Sequence, residues 1–300
     1  MRQGRCQPPT SLSISSLALR EMSSFTFLDR AQLNDLLMQA QEELSPFGVG
    51  FVKVEPTPQQ EPALAGSGTL VVIDGVHGIL TADHVLANLP TRGRLGLAFG
   101  SRTATVAHQF VIDSEVAPRV QVAQASGDDR GPDLGFLILP PDATSALKAR
   151  ASFYDITKRR DRMLSSPPSI EAGGWVVLGL IDEWTTTGPG ELGFKQVRHF
   201  SSVCGGSAVS REEQREGFDY LYFDVRCDTN ENRPYSFAGA SGGSLWQLVA
   251  RLEDERVSIK EALLSGVPFY ESAVRDGVRT LVCHGRRSIY ESVVRAVRDT

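Results

Sequence analysis

Cysteine is scarce in this sequence, and its spacing excludes the common metal-binding patterns. The 300 residues contain four cysteines, Cys6, Cys204, Cys227 and Cys283, and no two of them form a C-x-x-C pair. Structural zinc sites use closely spaced ligands, so we expect no metal site, and we expect no cofactor. Four cysteines are also too few for a disulfide-rich scaffold, although one bridge among the last three stays open.

An excess of positive charge and long apolar runs are also absent. The chain has 31 Lys and Arg residues against 36 Asp and Glu residues, a formal net charge of −5 at pH 7. This balance argues against nucleic acids and anionic membranes as partners. No apolar run could span a bilayer, and Arg20 and Glu21 interrupt the weakly apolar N-terminus before any signal-peptide cleavage motif. We therefore expect a cytoplasmic protein, with residues 1–24 disordered or partly untranslated if Met22 is the true start.

Short β-like runs separated by Gly, Pro and Asp fill most of the chain and fall into two groups. Residues 47–140 include GSGTLVVID and LGFLILP, and residues 171–285 include GWVVLGLI and DYLYFDVRC. Short strands without helices between them favour barrels or sandwiches over βαβ units, so we predict an all-β fold with two halves. The polar residues 141–170 are predicted to be a linker that could hold a short helix.

Helical spacing marks the two ends of the chain. Residues 25–46 place leucines at positions 28, 33, 36, 37 and 44 on one face, and Pro46 ends the pattern. We predict an amphipathic helix there. A C-terminal helix is predicted over residues 286–300, where RRSIYESVVRAV has the same periodicity.

One serine stands in a cluster of glycines, GASGGS, at residues 239–244. Glycine loses more conformational entropy on folding than other residues, so such a cluster marks backbone that turns sharply or approaches a ligand closely. The segment is either a flexible loop or a nucleophile elbow that presents Ser241. In the second case the bare glycines let backbone N–H groups surround a reacting carbonyl.

A serine hydroxyl needs a base to accept its proton, and the chain has five histidines. His84 follows the apolar run GILTAD in a short polar turn, where its ring could face a cleft. The others lie at a turn, within strand-like runs or at a strand end: His77, His108, His199 and His284. We therefore favour His84 as the base, against the plainer interpretation that it is structural.

The base in turn needs an acid to orient it, and Asp133 is the candidate. It opens DLGFLIL, directly before an apolar strand, where an unpaired charge would be costly and a histidine N–H would be a suitable partner. The plainer interpretation is that Asp133 caps a turn after Pro132. Asp113 and Asp129 are the alternatives if Asp133 is not the acid.

LTADHV, DLGFLIL and GASGG occur in the order His, Asp, Ser, and together they resemble the motifs of the trypsin/chymotrypsin-like serine peptidases. The resemblance implies two six-stranded antiparallel β-barrels, at residues 47–140 and 171–285, with the active site between them. It implies a serine endopeptidase that cleaves polypeptides through an acyl-enzyme. Ser241 would be the nucleophile, His84 the general base and acid, and Asp133 the group that holds the imidazole tautomer.

The same resemblance implies further site residues. Gly239 and Ser241 would supply the oxyanion-hole amides. Counting back six positions from the nucleophile places Tyr235 at the floor of the specificity pocket, and the run LLSGVPFY is expected to form its wall. The wall candidates are Ser265, Gly266 and Val267. A neutral floor favours cleavage after small or apolar residues.

Several features depart from the secreted members of that family. Val85 stands where many of them have a cysteine, and Ala240 stands where their zymogens have an acidic residue. No activation site precedes GVGFV, and no PDZ-like segment follows residue 285. These departures resemble the intracellular bacterial branch and imply an enzyme that needs no proteolytic activation.

Two other functions fit parts of the sequence. GASGG also matches the elbow of α/β-hydrolase esterases, with Asp276 and His284 as the later acid and base. SLWQLVARLEDE could then form the helix that follows the elbow. That interpretation leaves TADHV and DLGFLIL as coincidences. The second alternative is a catalytically silent protease-like binding module, and any regulatory partner stays unknown.

Overall fold

A computed structural model of the chain describes residues 30–54, 63–99, 108–189, 195–199, 203–205, 208–227, 234–253 and 256–300. Strands are the commonest element among these residues, and they form two large sheets and one small two-stranded sheet. Helices lie at both ends of the described chain and, in sequence order, between the strands of the two large sheets. The prediction of a β-rich chain in two halves is confirmed, while "all-β" is too narrow a description.

The first sheet has eight strands. They are β1 Gly48–Lys53, β2 Ala63–Ile73, β3 Val76–Thr81, β4 Arg94–Phe99, β5 His108–Asp113, β6 Arg119–Ala123, β7 Leu134–Ile138 and β8 Tyr154–Asp155. The order is β5-β4-β1-β2-β3-β7-β6, and the two-residue β8 runs parallel to β2 beside this path. The tight β2–β3 hairpin follows from its Asp-Gly turn, in which Asp74 and Gly75 both have positive φ.

The second large sheet has seven strands. They are β9 Gly174–Leu178, β12 Val203–Gly205, β13 Ala208–Arg215, β14 Phe218–Arg226, β15 Ser244–Glu253, β16 Arg256–Glu271 and β17 Val278–His284. Their order is β12-β9-β15-β16-β17-β14-β13. Strands β10 (Thr186–Pro189) and β11 (Lys195–His199) form the separate two-stranded sheet.

The two large sheets share one strand order. We count β5 and β6 as two segments of one bent strand, and β12 and β13 likewise. When the six strands of each sheet are then numbered along the chain, both sheets have the cyclic order 1-2-3-6-5-4. In each sheet the two segments of the bent strand lie at opposite edges. Among the described residues no hydrogen-bonded ladder joins these edges. The structure therefore has open sheets of eight and seven strands where closed six-stranded barrels were predicted.

The described residues form five α-helices beside the sheets. They are α1 Arg30–Leu44, α2 Asp83–Asn88, α3 Pro141–Lys148, α4 Ile156–Ser165 and α5 Val294–Arg298. The predicted N-terminal helix is confirmed over 30–44, its first residues lie outside the described part, and Pro46 lies in a 3-10 turn that follows it. The predicted linker contains α3, β8 and α4, so it is largely ordered and adds a strand to the first sheet. The C-terminal segment begins with a π-helical turn, Ser288–Val293.

One apolar cluster joins both sheets to the C-terminal segment. Leu80 and Phe136 come from the first sheet, Trp246 comes from the second, and all are buried together with Tyr154 and Tyr290. The Tyr290 hydroxyl donates to the Leu264 carbonyl at 2.9 Å. Burial on this scale stabilises a fold by roughly 25 cal/mol per Å² of apolar surface, so the sheets and the C-terminal segment are held as one unit.

Candidate active site

His84 and Asp133 meet at the same end of two neighbouring strands. Strand β3 ends at Thr81 and leads into α2, whose first turn holds His84, while Asp133 directly precedes β7. Strands β3 and β7 are paired, with Thr81 opposite Gly135. The pairing therefore brings together two residues that are 49 positions apart in the chain.

The contact between them has the geometry of a base and its orienting acid. Asp133 Oδ2 lies 2.5 Å from His84 Nδ1, and Asp133 Oδ1 accepts the His84 backbone N–H at 2.9 Å. The Asp133 residue is 5% exposed, whereas the His84 side chain is 35% exposed. Because the carboxylate accepts a hydrogen bond from the Nδ1–H group, Nε2 is left free to accept a proton. This pair was predicted from the sequence.

A second carboxylate fixes the helix that carries His84. Asp83 is buried, and its oxygens accept hydrogen bonds from Gln121 Nε2 at 2.9 and 3.1 Å and from the Ala125 N–H at 3.0 Å. These bonds tie the start of α2 to β6 and to the segment that follows it. Asp83 is not among the residues predicted from the sequence, although an aspartate in a first helical turn is a usable signal.

The loop that carries Ser241 packs against the same strand end. Gly239 and Gly242 have φ values of 86° and 80°, a region that favours glycine. A Cβ atom on Gly242 would lie 2.0 Å from Thr81 Oγ1, three residues before His84. The Ser241 carbonyl accepts the Ser67 N–H at 2.8 Å. The glycines therefore let a loop of the second sheet rest directly on β2 and β3 of the first.

The predicted contact between Ser241 and His84 is not formed. Among the described residues, Ser241 Oγ makes no hydrogen bond to His84. The structure thus pairs His84 with Asp133 and sets Ser241 on a loop beside them. Bonds of this kind are often long without substrate and shorten in the substrate complex.

Two backbone amides of this loop have no hydrogen-bond acceptor in the described structure, and they belong to Gly239 and Ser241. Their neighbours are engaged: the Ala240 N–H donates to the Phe237 carbonyl at 2.9 Å, and the Gly242 N–H donates to the Pro268 carbonyl at 2.7 Å. The two free N–H groups flank the buried Ala240. They are the two that the sequence resemblance assigned to an oxyanion hole.

Two glutamates hold the segment that leads to Ser241. Glu183 accepts the N–H groups of Tyr235 and Ser236 at 2.7 and 3.2 Å. Glu271 accepts the Phe237 N–H at 2.6 Å and the Ser236 hydroxyl at 2.9 Å. These carboxylates order the loop without an acidic residue at position 240. Neither glutamate could be predicted from the sequence, because no local pattern marks their partners.

A cavity of about 270 Å³ opens beside Ser241. Its lining is mainly apolar, with Phe237, Pro268, Phe269 and Leu281, and it includes the Glu271 carboxylate. Arg279 Nη1 lies 2.5 Å from Glu271 Oε1, so this charge is paired. The cavity therefore suits an uncharged, apolar group.

The residues predicted for the specificity pocket do not line this cavity. Tyr235 is 76% exposed, and its ring lies beside Arg279. Ser265, Gly266 and Val267 are buried in β16, upstream of the cavity. Strand β16 pairs with β15 as far as Gly266 and with β17 from Val267 onward. The cavity begins only after this change of partner, which shifts the wall to residues 268–271.

The residues of the esterase alternative are not assembled into a site. His284 is fully buried, and its Nε2 accepts the Asp133 N–H at 2.9 Å. Asp276 lies in an exposed turn before Gly277, and in the described chain it has no hydrogen bond to His284. Ser241 is followed by strand β15, where an α/β-hydrolase elbow would be followed by a helix.

The remaining residue types give no second site. The described residues contain no group of three or more His, Cys, Asp or Glu that could hold a metal ion. Cys227 and Cys283 are free thiols, and burial raises the pKa of the Cys283 thiol. The side chains of Cys6 and Cys204 lie outside the described part. None of the described helices has the length and apolar character to cross a membrane.

Comparison with known proteins does not identify a family for this chain. No model of a known protein family matches the chain, and no curated protein sequence matches it. The functional assignment accordingly depends on the residues and contacts given above.

Proposed function

We propose that this protein is a serine endopeptidase of trypsin-like type, with His84, Asp133 and Ser241 as its catalytic triad. The observation that carries the proposal is the 2.5 Å contact between His84 Nδ1 and Asp133 Oδ2. A buried carboxylate costs free energy unless it is hydrogen-bonded. Here its partner is a half-exposed imidazole, and the serine loop packs beside the pair.

The proposed mechanism gives each of these groups one role. Ser241 Oγ attacks the peptide carbonyl carbon, and its proton passes to His84 Nε2. Asp133 stabilises the imidazolium, and the N–H groups of Gly239 and Ser241 bind the oxyanion. The C–N bond breaks as His84 returns the proton to the leaving amine. Water then attacks the acyl-enzyme, with His84 as base again, and Ser241 regains its proton.

The fold supports this proposal in one further respect. Each large sheet repeats the strand order 1-2-3-6-5-4, and His84 and Asp133 come from the first sheet while Ser241 precedes β15 of the second. A site assembled from both sheets is what a double β-barrel peptidase requires. We therefore infer that the two sheets correspond to its two barrels.

The cavity beside Ser241 supports a substrate class. Its apolar lining and its paired Glu271 charge favour a small or medium apolar side chain on the residue whose carbonyl is attacked. The net charge of −5 supports a polypeptide partner over nucleic acid or anionic membranes, and the free thiols fit a reducing compartment such as the cytoplasm.

A peptide-library digest with the wild type and Ser241→Ala side by side tests this function. We expect cleavage after apolar residues by the wild type and none by the variant. Cleavage that survives in Ser241→Ala would contradict the proposed nucleophile.

A silent binding module is the alternative that one observation favours, namely the missing hydrogen bond between Ser241 and His84. It predicts no cleavage and no reaction with a serine-directed fluorophosphonate. The esterase alternative predicts ester hydrolysis that survives His84→Ala and is lost in Asp276→Asn.

A further inference from the structure

A buried histidine reaches from one sheet to the catalytic acid on the other. His284 ends β17, which lies between β16 and β14 in the second sheet. Its Nε2 accepts the backbone N–H of Asp133, which directly precedes β7 of the first sheet, at 2.9 Å. The two residues are 151 positions apart in the chain. The bond therefore joins the two halves of the fold at the acid.

Both ends of this bond are held firmly. The backbone of His284 is paired on both sides, with Tyr220 of β14 and with Val267 of β16. Its ring packs against the rings of Phe218, Tyr220 and Phe269, with centroid distances of 5.5, 5.1 and 5.0 Å. His284 is fully buried, so no water competes for Nε2. A buried N–H that lost this acceptor would be left unsatisfied.

The hydrogen bond to Nε2 also fixes the tautomer of His284. Since Nε2 accepts, the ring proton sits on Nδ1 and faces Ser288 Oγ at 3.3 Å. Ser288 Oγ in turn donates to Asp219 Oδ1 at 2.7 Å. Burial lowers the pKa of His284 to about 3, although the nearby charge of Asp133 acts in the opposite direction. The ring therefore stays neutral and keeps its acceptor at neutral pH.

The series of hydrogen bonds from Asp133 through His284 and Ser288 to Asp219 ends at the C-terminal helical segment. The Asp219 carboxylate accepts the backbone N–H groups of Ser288 at 2.6 Å and of Arg287 at 2.9 Å. A carboxylate at this place satisfies amides that a helix start leaves without partners. The start of the C-terminal segment is thereby connected to Asp133 through Ser288 and His284.

We propose that His284 is a positioning residue that fixes the main chain of Asp133, and with it the carboxylate that orients His84. The inference rests on the proposed peptidase function. His284 takes no proton from substrate or serine in this account. Its role is to hold Asp133 from the opposite sheet, because a displaced main chain would carry the carboxylate away from His84 Nδ1.

Two variants separate the acceptor from the bulk of the ring. Glutamine can place an amide oxygen near the position of Nε2, whereas leucine has similar size and no acceptor. We expect His284→Leu to lower kcat by about tenfold with KM changed less than about twofold. The acid limb of its pH–rate profile should move to lower pH, because His84 would lose a correctly placed carboxylate. His284→Gln should stay within about threefold of wild-type kcat.

Two further variants keep the test decisive if the leucine variant folds poorly. Ser288→Ala breaks the next hydrogen bond of the series and should lower kcat in the same direction by a smaller factor. Met163→Ala removes a buried side chain of α4 that takes no part in these hydrogen bonds, so it should lower the melting temperature and leave kcat unchanged. Wild-type kcat and pH profile in His284→Leu would overturn the proposal. Equal losses in the glutamine and leucine variants, tracking their melting temperatures, would overturn it as well.

A spectroscopic measurement separates this proposal from the peptidase function. In the inactive Ser241→Ala background, the His84 Nδ1 proton bonded to Asp133 should give a far-downfield NMR resonance. We expect His284→Leu to shift or broaden it and His284→Gln to retain it. A resonance unchanged in the leucine variant refutes the positioning role, whereas failure of the wild type to cleave peptides refutes only the proposed function.

Discussion

The Glu271 carboxylate accepts the Phe237 backbone N–H at 2.6 Å, which ties the strand that lines the cavity to the loop that carries Ser241. Glu183 holds the two preceding amides of the same loop. In the secreted members of the family that the sequence resembles, an acidic residue before the serine orders this loop only after proteolysis. Here the position is Ala240, and the loop is already bonded at its start.

This arrangement predicts an enzyme that is active as made. Full-length protein should react with a fluorophosphonate probe without N-terminal trimming, as judged by mass spectrometry. Glu271→Gln should slow labelling by roughly 10- to 100-fold, since it weakens charge-assisted hydrogen bonds to the loop. The exposed Glu115 is the matched control, and Glu115→Gln should label at the wild-type rate. Labelling that appears only after cleavage upstream of Gly48 would contradict the prediction.

Gly242 is predicted to be intolerant of any side chain. A Cβ atom there would lie 2.0 Å from Thr81 Oγ1 and 2.4 Å from the Ser67 carbonyl oxygen, at a φ of 80°. Gly75 is a matched control, because its φ is 87° and nothing lies within 4 Å of a Cβ atom. Gly75→Ala should cost about 1 kcal/mol of unfolding free energy from backbone strain alone.

Gly242→Ala adds overpacking to the same strain, and we expect a loss of about 3 kcal/mol, measured by urea unfolding. Equal losses for Gly75→Ala and Gly242→Ala would mean that the serine loop does not rest on β2 and β3 as described.

His284 should make stability depend on pH in a specific window. Burial lowers its pKa to about 3, and the facing charges are Asp133, which raises the pKa, and Arg215, which lowers it. The unfolded chain therefore binds a proton that the folded chain does not, between about pH 6.5 and about pH 3. The free energy of unfolding should fall as the pH drops through this range, by up to ~1.4 kcal/mol per pH unit from this residue.

His284→Gln removes that titration, so the difference in unfolding free energy between wild type and variant should shrink as the pH falls from 6.5. Chemical denaturation at several pH values measures it. A difference that does not change with pH would show that folding does not lower the pKa of His284.

Local patterns predicted the β-rich character of the chain and the turns that border its strands. Turns such as Asp74-Gly75 fix hairpins within a few residues, and GASGG and LTADHV identify loops whose backbone must bend beside a strand. The His84–Asp133 contact could be anticipated because each residue borders its own apolar strand.

Contacts between distant segments could not be predicted in this way. Nothing near His284 indicates that its ring accepts an amide 151 positions away, so it was considered only as a base. The cavity wall was misplaced because β16 changes partner at Gly266, which depends on tertiary pairing. The linker at residues 141–170 was expected to hold at most a short helix, but it also contributes β8, which pairs with β2 because Tyr154 is buried in the shared core.

The triad itself is tested most directly by the rate at which a fluorophosphonate labels the protein as purified, with the modified residue mapped by mass spectrometry. We expect labelling on Ser241, none in Ser241→Ala, and rates lower by about 10³- to 10⁴-fold in His84→Ala and Asp133→Asn. The double variant His84→Ala/Asp133→Asn should be labelled no more slowly than His84→Ala, because the three residues act as a unit. Absence of labelling in the wild type, or wild-type labelling in His84→Ala, would contradict the account.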